Sequence, residues 1–102
     1  LNRVQDLEPN SSYAYFLKAY AYKLLMDEAN YEKNMMKAIE LYPGFRDAYY
    51  DLAIFYIEKK RWEEAKVQLE KAQELDPGNY NIINYLKGVN DAISAQQTAI
   101  PK

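Results

Sequence analysis

Residues 43–77 read PGFRDAYYDLAIFYIEKKRWEEAKVQLEKAQELDP, and two helices are legible inside them. Pro43 and Gly44 open the stretch, Pro77 and Gly78 close it, and neither residue type occurs between, as helix interiors require. Apolar residues fall at helical spacing in two sets: Tyr49, Leu52, Ala53, Tyr56 and Ile57, then Trp62, Ala65, Leu69, Ala72 and Leu75. Lys59, Lys60 and Arg61 interrupt the pattern and read as a helix end and turn, where cations meet the negative end of the helix dipole. Residues 47–75 are therefore expected to form a helix hairpin.

Working outward, the closing proline proves periodic. Pro9, Pro43 and Pro77 stand 34 residues apart. Leu7, Leu41 and Leu75 precede them by two, Val4, Ala38 and Ala72 by five, and Leu1, Met35 and Leu69 by eight. On the other side of the prolines Tyr15 matches Tyr49, Ala19 matches Ala53 and Tyr22 matches Tyr56. Such self-similarity means that one supersecondary unit is stacked.

The register assigns the rest of the chain. Asn10, Ser11 and Ser12 offer N-cap oxygens to a helix over 13–26, and Asp27 to a helix over 28–42. Residues 1–8 match the last two turns of a second helix from a preceding unit. A final helix over 80–96 is expected to carry Ile82, Ile83, Leu86, Val89 and Ile93 on one face and Asn81, Asn84, Lys87, Asn90 and Asp91 on the other. A polar outer face suits the end of a stack. The domain division is 1–10 truncated helix, 12–45 and 46–79 repeats, 80–97 capping helix and 98–102 frayed tail. The start on Leu1, inside a unit, is expected of a segment cut from a longer protein.

Composition narrows the chemistry. Across 102 residues the formal net charge is −2 with signs mixed, which gives no footprint for nucleic acid or an anionic membrane surface. No apolar run approaches the ~20 residues of a membrane-spanning helix. With no His and no Cys, the commonest general base, the thiolate nucleophile and the usual zinc ligands are missing. Glu63, Glu64, Glu70 and Glu74 alternate with Lys66 and Lys71 as a solvated helix face. Gly44 and Gly78 follow prolines at helix ends and form no phosphate loop. The expectation is no enzyme, no metal and no cofactor. Eleven tyrosines, beside one Trp and three Phe, are the anomaly, since tyrosine suits both helix packing and partner contacts.

On these residues the chain resembles the tetratricopeptide repeat family. Residues 46–79 fit closely through Tyr49, Leu52, Ala53, Tyr56, Ala65, Leu69, Ala72 and Pro77. Residues 12–45 fit through Tyr15, Ala19, Tyr22, Met35, Ala38 and Pro43, but Lys18 replaces a usual Leu and Tyr31 a usual small residue. Tyr31 is expected to push its helix pair apart or tilt it. Lys87 stands at another usual small position, hence the capping role for the last helix.

The resemblance implies an all-α fold, a right-handed α-α superhelix of helix-turn-helix repeats whose first helices line a concave groove. By position the groove would present Tyr13, Phe16, Tyr20 and Lys23, then Asp47, Tyr50, Ile54 and Ile57, then Asn81, Asn84 and Gly88. Rings supply apolar area and amides pair with a backbone, which suits a protein or peptide ligand, bound as an extended peptide or as a partner helix. Phe16 and Tyr20 lie on a helix that is apolar almost all round, so core packing is an equal expectation for them. Some family members hold a chaperone's C-terminal carboxylate with Lys and Asn; here those places carry Phe16, Tyr20, Tyr50 and Ile54. The alternatives to a non-catalytic interaction module are a scaffold that self-associates through an exposed N-terminal end (Tyr15, Leu17 and Tyr22) and an accessory domain of a larger enzyme.

Overall fold

The computed structural model describes residues 11–98, and the expected helix over 1–8, the Pro9 joint and residues 99–102 lie outside that range. Among the described residues the chain forms α1 (Ser12–Leu24), α2 (Glu28–Leu41), α3 (Arg46–Glu58), α4 (Trp62–Leu75) and α5 (Tyr80–Thr98), and no strand. It divides into two compact units, the first ending at Ala48 and the second beginning at Tyr49.

In the first unit α1 packs on α2. Ser11 Oγ accepts from the Ala14 N–H at 3.1 Å and Asp27 Oδ1 from the Asn30 N–H at 3.2 Å, so both expected caps are made. Each such cap is worth about 1 kcal/mol. The first helix ends two residues before the expected 26. Met26 turns left-handed at φ 60°, which brings the Asp27 N–H to the Tyr22 carbonyl at 2.9 Å and closes the turn. Phe16, Ala19, Tyr31, Met35 and Ala38 are buried. Tyr31 is accommodated within that core at 1 % exposure, with the Lys23 ammonium 5.4 Å from its ring centroid. Past the Pro43 joint, Phe45 lays its ring 4.7 Å from Phe16. A Cβ on Gly44 would come within 3.1 Å of the Tyr42 ring, so glycine suits that close approach.

The second unit repeats the same turn between α3 and α4. Lys60 is left-handed at φ 59°, and the Arg61 N–H reaches the Tyr56 carbonyl at 2.8 Å. The backbone is duplicated while the chemistry is exchanged. Where the second turn carries Glu58, Lys59 and Lys60, the first carries Leu24, Leu25 and Met26, exposed by 87, 74 and 85 %.

Arg61 does not close α3 as a dipole cation. It stands at the N-cap of α4 and makes no side-chain cap there. Its guanidinium lies 4.5 Å from the Tyr56 ring centroid and grips Glu64 at 2.6 and 2.8 Å. That hydrogen bond holds the Glu64 carboxyl below its ordinary range, against a smaller opposing effect of burial.

The core of this unit is Tyr49, Leu52, Ala53, Phe55 and Tyr56 of α3, Ala65, Leu69 and Ala72 of α4, and Ile82, Leu86, Val89 and Ile93 of α5. Helix α5 packs on α4. It begins at Asn79, whose Oδ1 accepts from the Ile82 N–H at 3.1 Å while its Nδ2 donates to Asp76 Oδ2 at 3.0 Å. Ile83 departs from the expected apolar face and is exposed. Positions 82, 86, 89 and 93 follow one stripe, and a residue one step further turns about 100° away from it.

Candidate functional site

The surface expected of the first unit is only partly presented. Tyr13 is exposed, and its ring stacks 6.1 Å from Phe16 at 22°. Tyr20 meets Phe16 edge to face at 5.0 Å and keeps much of its own surface in solvent. Phe16 itself is buried between these rings and Phe45, so its area goes into packing and it cannot offer a face to a ligand. The Lys23 ammonium is drawn over Tyr31. Asp47 is exposed and paired with Arg46 at 3.1 Å.

The second unit gathers its residues more tightly. Tyr50 is half-buried on α3, and Tyr85 of α5 meets it edge to face at 5.9 Å and 72°. Asn81 and Asn84 join the two rings around an open recess of about 400 Å³. A second recess, of about 240 Å³, adjoins it through Asn84 and Tyr85 and is completed by Ile57, Trp62, Gly88 and Val89. Ile54 is half-buried and lines neither recess.

Tyr85 and Trp62 were absent from the positions inferred from the sequence. A signal for Tyr85 existed, because 81, 84, 85 and 88 form an i, i+3, i+4, i+7 stripe on one helix face. Trp62 gave none, since its ring reaches this surface from the start of α4, which the carried-over pattern assigns to the outer side.

Neither recess is lined by a charged side chain among the described residues. No group of three His, Cys, Asp or Glu able to hold a metal occurs among them, and no described helix is long and apolar enough to cross a membrane. A larger hollow of about 590 Å³ on the first unit, lined by Tyr15, Lys33, Asn34, Met36, Lys37 and Glu40, follows the charged face of α2, where Lys37 pairs with Glu40 at 3.3 Å. What the second-unit surface can do is hold uncharged groups by ring contact and by amide hydrogen bonds.

A family model described as tetratricopeptide repeat matches residues 26–88. Anaphase-promoting complex subunit 3 of Schizosaccharomyces pombe is 26 % identical over 83 residues, which cover 81 % of this chain and 12 % of that protein. This chain thus spans a small part of that relative's length. Among solved structures, the first tetratricopeptide domain of Spaghetti (RPAP3), bound to the HSP90 peptide SRMEEVD, superposes with a TM-score of 0.75 at 27 % identity, covering 87 % of this chain and 71 % of that one. The first such domain of human RPAP3 gives 0.75 at 25 % identity over 93 % of this chain and 75 % of that one. The MamA protein gives 0.78 at 22 % identity, over 91 % of this chain and 51 % of that one, a likeness of fold. With its three prolines in register, its helix pairs and a family match over more than half its length, this chain belongs to the tetratricopeptide repeat family.

Proposed function

We propose that the chain is a non-catalytic protein-interaction module that binds a peptide on the surface formed by Tyr50, Asn81, Asn84 and Tyr85. The single observation that carries this reading is the recess those four residues share. Two rings provide area that a partner's side chains desolvate, and two amides one helical turn apart match the donor and acceptor of an extended backbone. The RPAP3 neighbour with its bound HSP90 peptide supports peptide binding in general. The ligand here differs in chemistry, because Phe16, Tyr20, Tyr50 and Ile54 occupy the places where a carboxylate clamp would hold Lys and Asn.

A random dodecapeptide library selected on the chain tests the proposal, with enriched peptides synthesised and titrated by fluorescence anisotropy. Tyr50→Ala is expected to weaken their Kd about 30-fold, the ~2 kcal/mol of an aromatic hot spot. Unchanged affinity in a folded variant would remove this surface from the reading.

A second reading, self-association, draws on the exposed Leu24, Leu25 and Met26 turn, since an apolar tip that water surrounds is an association surface. Replacing the three residues by Glu, Lys and Lys copies the second turn on the same backbone. Light scattering across a dilution series should then show association in the parent chain and none in the variant. A parent that stays monomeric at the highest concentration rejects the idea.

A further inference from the structure

We infer that the recess over Gly88 is an anchor pocket for one bulky apolar side chain of an uncharged peptide segment. This rests on the peptide-binding reading and names the chemistry of its ligand. Gly88 lies inside α5, well away from either end. No glycine in the described chain has a positive φ, so the backbone at Gly88 does not demand this residue. No packing demands it either, because a Cβ built there would find nothing within 4 Å. A glycine in such a helix interior is nonetheless disfavoured against alanine by an amount equal to about 4–8 °C of Tm in a domain of this size. The fold draws no benefit from that loss.

What the missing side chain does supply is depth. The recess of about 240 Å³ has Gly88 and Val89 on α5, with Ile57 and Trp62 around them. One repeat earlier the same register position holds Ile54, so a glycine here removes a branched side chain from the surface. The volume admits one Leu, Met or Phe side chain. Asn84 and Tyr85 are shared with the neighbouring recess, so a backbone held by Asn81 and Asn84 would drop a single side chain over Gly88. The occupant is neutral because no charged residue among those described lines either recess, and a carboxylate or ammonium seated there would lose water without gaining a counter-ion.

The dodecapeptides selected on the parent chain are the probe. They should share one Phe, Leu or Met and show no acidic bias, and replacing that residue by Ala should abolish binding. Gly88→Leu, which fills the recess, should weaken their Kd at least about tenfold, as loss of an anchor residue does. Gly88→Ala should weaken it less while raising Tm by about 4–8 °C, and it serves as the measure if the Leu variant does not fold. If peptides bind Gly88→Leu as they bind the parent but lose affinity for Tyr50→Ala, the anchor pocket is wrong and the peptide surface stands. If both variants bind like the parent, both readings fall. Selected peptides that lack a bulky apolar residue or are acidic, or a selection that enriches nothing, overturn the pocket, and a Tm lowered by Gly88→Ala would return the glycine to the fold.

Discussion

Tyr31→Ala should destabilise the chain by about 3–5 kcal/mol, the range for deleting a large buried ring when its surroundings relax only in part. Tyr31 is among the largest fully buried side chains, and no buried polar side-chain atom of the described residues lacks a partner. Ala19 on α1 is also fully buried, so the first unit sets a large side chain on one helix and a small one on the other. The second unit places Ala53 and Ala65 at the same two register positions, both fully buried. The reverse substitution, Ala65→Tyr, should therefore overpack that site and cost about 1–3 kcal/mol or more. Urea denaturation followed by circular dichroism measures both. If Tyr31→Ala lost less than about 0.5 kcal/mol, within the reach of an ordinary surface change, the ring would not be the core of its unit. Tyr31→Phe separates the hydroxyl from the ring, which should carry most of the effect.

A second contrast lies between adjacent isoleucines. Ile82→Ala should cost about 2–5 kcal/mol and Ile83→Ala about 0.5 kcal/mol or less. The two side chains are alike in helix propensity, so their difference isolates burial: Ile82 is 0 % exposed and Ile83 42 %. Ile82 also follows directly on the Asn79 cap that starts α5, so a cavity there loosens the helix where it meets α4. Equal losses at the two positions would mean that α5 is rotated about its axis so that both side chains share the core.

These contrasts show how far the sequence could be read. The caps at Ser11 and Asp27 were legible because side-chain oxygen acceptance is local to a few residues. The hairpins were legible because a 34-residue proline register over helical apolar spacing admits few folds. Ile83 misled because an apolar residue beside a helical stripe fits the pattern whether or not a neighbour covers it. Phe16 stayed undivided between core and surface, since α1 is apolar nearly all round and the ring that covers it from outside its own helix, Phe45, comes 29 residues later. Arg61 lies in the turn that the basic run suggests, but its lysine neighbours do not tell that Glu64 and the Tyr56 ring hold it at the start of α4.

At the candidate site Tyr50, Asn81 and Asn84 were reached through position in the repeat, and the structure sets them around one recess. Tyr85 was within reach of the helix stripe it shares with those asparagines, whereas Trp62 and the open space over Gly88 came from packing alone. Among the described residues the sequence by itself determined where the helices lie, because their bounds follow from residue spacing and from proline and glycine at the joints. Only the tertiary structure decided which side chains of each apolar helix meet a neighbour and which meet water. Burial is a relation between residues distant in the chain, and no local pattern encodes it.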